Sequence, residues 1–147
     1  MESFLNNRVL QATLFPWATA GVLKVIIEFI WYRKFNLRLI TSAGGMPSSH
    51  SAMVCGLATA IAIHDGAGSS AFALSVVLAM VVMYDAAGIR RAASMQARIL
   101  NQIIDELFQG HPISEVRLRE LLGHTPIQVA AGAVLGIVMA WWWMVRS

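Results

Sequence analysis

Apolar and polar positions along the chain fall into long blocks rather than short alternations. Four apolar stretches stand out, from Leu10 to Trp31, Ser51 to Ile63, Ser70 to Ala87 and Ile127 to Val145. A helix needs roughly 20 mostly apolar residues to cross the hydrocarbon core, with about 17 as a lower bound, so the first, third and fourth stretches predict transmembrane helices. The second falls short unless its Ser48 to His50 end counts; it is included because an even number of spans brings the two histidine segments described below to one side. Between the third and fourth stretches Ile99, Leu100, Ile103, Ile104, Leu107 and Phe108 recur at helical spacing, with Gln96, Asn101, Asp105 and Glu106 between them. This predicts an amphipathic helix at the membrane surface or against the bundle, ended by Gly110. Ser114 then caps a short helix through Leu122, with Gly123 as its stop. The expected fold is all-α: one domain over residues 1–147, with about four transmembrane helices plus the amphipathic interfacial helix.

Composition agrees with that class: 57% of the residues are hydrophobic and only 13% charged, which fits a membrane protein. The distribution of charge adds an orientation. Arg33, Lys34 and Arg38 follow the first span, and Arg90, Arg91, Arg98, Arg117 and Arg119 lie between the third and fourth, whereas the His64 to Ser69 turn holds Asp65 and no lysine or arginine. The positive-inside rule then makes both basic segments cytoplasmic and puts both termini on the outer face. Nucleic acid is excluded as a partner because these basic residues flank spans and have no soluble domain to present them. No cleavable signal peptide is expected, since the first apolar run is long and carries Lys24 and Glu28. Cys55 is the single cysteine, so neither an intrachain disulfide nor a cysteine metal site can form, and it reads as a small packing residue. Trp141, Trp142 and Trp143, close to Arg146, read as an interfacial anchor.

Chemistry gathers at the helix starts. In the run Gly44 to Ala52, Pro47-Ser48-Ser49-His50 places hydroxyls and an imidazole where the first turn of a helix leaves backbone N–H groups unpaired, a place suited to phosphate. A serine cap alone would explain Ser48, but His124-Thr125-Pro126 repeats the arrangement at the start of the last span, with threonine as N-cap and proline at the first helical position. Gly44-Gly45 can supply positive φ and a close approach to a ligand. Lys24 and Glu28 share a face within the first span, and they pair with each other or Lys24 reaches an anionic substrate. Asp85 closes the third span just before Arg90 and Arg91, whose planar donor forks suit phosphate oxygens. With the spans as proposed, Ser48 to His50, Asp85 to Arg91 and His124 all emerge on one membrane face.

These residues resemble the type 2 phosphatidic acid phosphatase superfamily, and most of all its small divergent branch of bacterial and plastid membrane proteins. Pro47-Ser48-Ser49-His50 is similar to the superfamily's Pro-Ser-Gly-His second motif. His124-Thr125-Pro126, followed by Val129, Gly132 and Gly136, is similar to the third motif's histidine and the glycine-rich helix after it. Gln128 stands where the superfamily has aspartate, Leu118 where its arginine would fall, and Lys24 lacks the arginine-proline that follows the first-motif lysine. The Asp85 to Arg91 segment is a recurring signature of the divergent branch.

The resemblance implies that His124 is the nucleophile on phosphorus, forming a phosphohistidine, and that His50 is the general acid for the departing alcohol, with Asp85 orienting His124. Lys24, Ser48, Ser49, and Arg90 or Arg91 would then bind the phosphate oxygens. The scheme needs no metal and no cofactor. His64 and His111 read as structural or solvated. The implied substrate is a lipid phosphomonoester at the cytoplasmic surface, of the phosphatidylglycerophosphate, phosphatidic acid or isoprenyl phosphate type, with a glycerophospholipid preferred. Two other classes stand beside this one: a non-catalytic membrane protein that binds anionic lipid at a degenerate phosphatase site, and a small transporter subunit built on Lys24 and Glu28. Membrane lipids are the implied partners, and a homo-oligomer would let a second subunit enclose a pocket that few helices leave open. The expected location is a bacterial inner or plastid-like membrane.

Overall fold

The computed structural model describes residues 6–33, 37, 45–108 and 124–146. They form five helices: α1 Arg8–Tyr32, α2 Ser49–His64, α3 Ser70–Ala87, α4 Ile89–Phe108 and α5 Pro126–Arg146. There is no strand among the described residues. Three of the helices, α1, α3 and α5, are long and apolar enough to cross a membrane, and α2, with 16 residues, is shorter. The apolar blocks in the sequence thus mark the helices to within two residues or so at each end.

The starts of α1, α2 and α3 carry their own caps. Asn7 Oδ1 accepts from Leu10 N at 3.0 Å, Ser48 Oγ from Ser51 N at 3.3 Å, and Ser69 Oγ from Phe72 N at 3.1 Å, so orphan first-turn donors are satisfied locally. Arg33 ends α1 in the left-handed region, φ 55°, with its N–H returned to the Phe29 carbonyl.

The shortest of the apolar helices holds the centre. α2 packs against α1, α3 and α5, and it does so through small residues, because apolar packing between helices in a bilayer depends on close backbone approach rather than on expulsion of water. Gly132 lies against the Ser48 carbonyl and Gly136 against the Ala52 carbonyl, so closely that a methyl group at either glycine would overlap the oxygen. On the other side, Gly56 faces Pro16 of α1, where an added Cβ would come within 2.9 Å of the proline ring. Pro16 has no N–H for the Ala12 carbonyl, and Gly56 is also the residue that closes on that oxygen. The core of small residues, Ala12, Ala60 and Ala140, continues this seam.

The ends of the bundle differ. At one end Phe15 packs on Trp142 and Trp143 with ring centroids 6.1 and 4.8 Å apart, and the Arg146 guanidinium sits 5.1 Å from the Trp142 ring, as an interfacial anchor would. Exposed His64 and Asp65 share this end, with His64 Nδ1 2.7 Å from Asp65 Oδ1. At the other end α3 stops at Ala87, and Gly88 alone separates it from α4. The amphipathic helix therefore begins seven residues before Gln96, and the Asp85 to Arg91 signature straddles two helices. α4 packs against α3 and carries an exposed apolar face that includes Met95, Ile99, Leu100 and Ile103, which suits a helix lying in a membrane surface. Gly44, Lys34, Arg38, Gly110, His111 and the expected helix from Ser114 to Leu122 lie outside the described residues.

Candidate functional site

Polar groups that an apolar bundle should expel converge where α2 and α5 begin. Lys24 is 2% exposed, and its Nζ donates to Ser49 Oγ at 3.1 Å. Ser49 is the first residue of α2, so a lysine from the interior of α1 meets the helix start that carries Ser48 and His50. Eight residues separate Lys24 from the end of α1 at Tyr32, which at the α-helical rise sets the lysine about 12 Å along the axis from that end. The Lys24 stem is covered by Gly45, where φ is +87° and an added Cβ would sit 3.6 Å from Lys24 Cδ. The close approach expected of this glycine is therefore to the lysine. Of the two options read for Lys24, pairing with Glu28 or reaching toward a ligand, its bond to Ser49 turns it into the histidine-bearing end of α2.

The two helix starts are bonded to each other. Ser48 N donates to the Gln128 carbonyl at 3.0 Å, while the Ser48 hydroxyl receives the Ser51 hydroxyl at 3.0 Å. Ser48, Ser49 and Ser51 are all buried, and His50, the second residue of α2, is half-buried. His124 is 1% exposed, and its backbone N–H donates to the Ala86 carbonyl at 3.2 Å. That bond ties the start of α5 to the end of α3, one residue from half-buried Asp85. Lys24, Ser48, Ser49, His50, Asp85 and His124 thus occupy one end of the bundle. Arg90 and Arg91 fall in the first turn of α4, and their side chains lie outside the described residues.

One residue of this cluster carries more than the sequence reading gave it. Thr125 Oγ1 accepts from Gln128 N at 3.4 Å, and Gln128 Oε1 accepts from Thr125 N at 2.9 Å, a reciprocal capping box at the start of α5. The same Oε1 lies 3.4 Å from His124 Nδ1. Because the Thr125 backbone N–H can only donate, it fixes which end of the amide faces inward. An amide oxygen can only accept, so Nδ1 must carry the ring proton, which leaves Nε2 with the lone pair in a neutral imidazole. The spacing Thr125-x-x-Gln128 was the readable signal for the capping box.

The chain matches the model of the divergent PAP2 family over residues 5–139. It belongs to that family. It is also 40% identical, over 146 residues and 92% of both chains, to the protein of Bacillus subtilis (strain 168) named uncharacterized membrane protein YuiD. No solved structure matches. Family membership and this relative agree with a helical membrane protein, and the family's name points toward phosphatase-type chemistry. His64, at the opposite end of the bundle, and Cys55, buried with its sulfur 3.7 Å from that of Met83, are apart from the polar cluster.

Proposed function

We propose that this protein is a membrane phosphatase acting on a lipid phosphomonoester through a phosphohistidine, with its site on the cytoplasmic face and both termini outside. The observation that carries the reading is the buried Lys24 ammonium bonded to Ser49, at a helix start joined by Ser48 to the one that bears His124. A buried cation in a membrane bundle is costly and marks a functional partner, and the cation here lies among hydroxyls and imidazoles suited to an oxyanion.

His124 Nε2 attacks phosphorus, the P–N bond forms, and the P–O bond to the lipid alcohol breaks. His50 gives the departing oxygen its proton. Water then attacks the phosphohistidine, His50 takes its proton, and the P–N bond breaks to release inorganic phosphate. Lys24, the Ser48 and Ser49 hydroxyls, the first turn of α2, and Arg90 or Arg91 stabilise the equatorial oxygens, the main service of a phosphoryl-transfer site. Gln128 holds the His124 ring, and Asp85, anchored beside Ala86, supplies a carboxylate for the imidazolium. Phosphatidylglycerophosphate and phosphatidic acid are the first substrates to try.

Purified protein in detergent, assayed for phosphate release from these lipids with chelator present, is expected to turn over, and His124→Ala and His50→Ala are expected to lose that turnover. Equal release by wild type and both variants would overturn the reading. The competing reading, a non-catalytic binder of anionic lipid, draws on Gln128, whose neutral amide faces His124 where a carboxylate would strengthen a base. It is favoured if binding of the lipid phosphate survives both histidine substitutions and no turnover is found.

A further inference from the structure

Inside a helix a serine or threonine hydroxyl commonly turns back to the carbonyl one turn earlier. Thr13 does so to Val9, Thr19 to Phe15 and Thr59 to Cys55, at 2.8, 2.9 and 2.8 Å. Ser51, in the first turn of α2, departs from this habit: its hydroxyl donates to Ser48 Oγ at 3.0 Å, and its backbone N–H reaches the same oxygen at 3.3 Å. In a capping box the side chain at this place would return to the backbone N–H of the cap, but here that N–H is taken by the Gln128 carbonyl at 3.0 Å, which leaves the Ser51 hydroxyl to serve the cap's oxygen. A serine oxygen has two lone pairs and one hydrogen. Both lone pairs of Ser48 are therefore occupied from the helix side, and its hydrogen is left to point away from α2. Ser49 is held in a similar way, since Lys24 Nζ donates to its oxygen at 3.1 Å and an ammonium cannot receive a hydrogen in return. Among the described residues, neither the Ser48 nor the Ser49 hydroxyl donates to a protein acceptor.

We infer that Ser51 is a positioning residue: by saturating the Ser48 oxygen it commits the Ser48 hydroxyl to donate, so that Ser48 and Ser49 present a pair of O–H donors to an oxyanion that has no proton to give. This rests on the oxyanion site of the phosphatase reading above and adds to it a residue that meets no ligand itself. Burial argues for it. Ser48, Ser49 and Ser51 are 0, 2 and 0% exposed, and a buried donor without an acceptor carries a desolvation cost that a bound acceptor relieves. A hydroxyl without such a constraint rotates and accepts as readily as it donates, whereas donors fixed before the ligand arrives need no reorganisation when charge develops on it.

The test is a double-substitution cycle on the full chain in detergent. Its readout is calorimetric binding of tungstate, an oxyanion that accepts hydrogen bonds and donates none at neutral pH. Ser48→Gly supplies the second background, because glycine is itself a good N-cap residue and keeps the helix start. Ser51→Ala is expected to weaken tungstate binding about fivefold in the otherwise wild-type chain, the size of one hydrogen bond, and by less than about twofold in the Ser48→Gly chain, where there is no hydroxyl left to direct. Equal losses in the two backgrounds would give Ser51 a purely structural role and overturn the inference, as would unchanged affinity in Ser51→Ala or no binding by wild type. Should Ser51→Ala fail to fold, Ser51→Cys, whose thiol is a poor donor, runs the same cycle under the same criteria. The two readings fail separately. Lipid phosphate turnover that needs His124, with equal losses in the cycle, keeps the phosphatase and removes the role of Ser51; a coupled cycle without turnover keeps Ser51 behind Ser48 at an oxyanion site and removes the phosphatase.

Discussion

Gln128 Oε1 lies 3.4 Å from His124 Nδ1 while accepting a 2.9 Å bond from Thr125 N. One amide oxygen thus caps α5 and sets the tautomer of the imidazole. The two jobs are separable by substitution. Glutamate at this position keeps the capping box but brings a charge that favours the protonated ring. Gln128→Glu is expected to retain its thermal stability in detergent, and the rising limb of its pH–rate profile should move to higher pH, because more base is then needed to free Nε2. Gln128→Leu is expected to lose about 1 kcal/mol of stability with the cap and at least about tenfold in turnover. Identical pH profiles for wild type and Gln128→Glu would show that the contact does not govern the ring.

Lys24 should separate activity from stability. A buried charge replaced by an apolar side chain of similar size is often neutral or stabilising, whereas loss of a cation from an oxyanion site costs about 100-fold or more in rate. Lys24→Met is therefore expected to melt no lower than wild type and to be nearly inactive. Parallel loss of folding and turnover would assign Lys24 a structural role.

The glycines of α5 give a graded series. A methyl group at Gly132 meets the Ser48 carbonyl and one at Gly136 meets the Ala52 carbonyl, so Gly132→Ala and Gly136→Ala are each expected to cost about 1–3 kcal/mol. Gly132→Ala should also reduce turnover, since it displaces the serine that joins the two helix starts. Gly66, with φ +87° and open space around it, is a control: Gly66→Ala should cost about 1 kcal/mol and leave activity unchanged. Thermal melts in detergent beside a phosphate-release assay read both quantities.

Orientation follows from two exposed positions at opposite ends. In a Cys55→Ala background, Asp65→Cys is expected to react with a membrane-impermeant maleimide in intact cells, and Met46→Cys only after permeabilisation. The reverse pattern would place the polar cluster on the outer face.

The helices were legible because their apolar blocks are long and uninterrupted, and length is the quantity that hydrocarbon thickness selects. Ser48 was likewise readable as a cap, since its bond reaches only to the next turn, whereas the caps made by Asn7 and Ser69 emerge from the structure. What the string of residues does not contain is relative depth. Nothing local says that Lys24, eight residues before the end of α1, stands level with Ser49 at the start of α2; the close approach of Gly56 to Pro16 sets those two helices against each other. Gln128 reads in the sequence as a departure from the superfamily's acidic residue, and only its bonds reveal that the amide occupies the acceptor position beside the ring.

The difference in length between α1 and α2, 25 residues against 16, has a bearing on selectivity. At the level of Lys24 and Ser49 the longer helix still has about 12 Å to run, so the polar cluster lies below the end of α1. A dissolved ester must shed its hydration to descend there, whereas one carried in by its own anchor arrives already at the right level. On the proposed phosphatase reading, the stagger of two helices would favour membrane-borne esters over soluble ones before any individual side chain is considered.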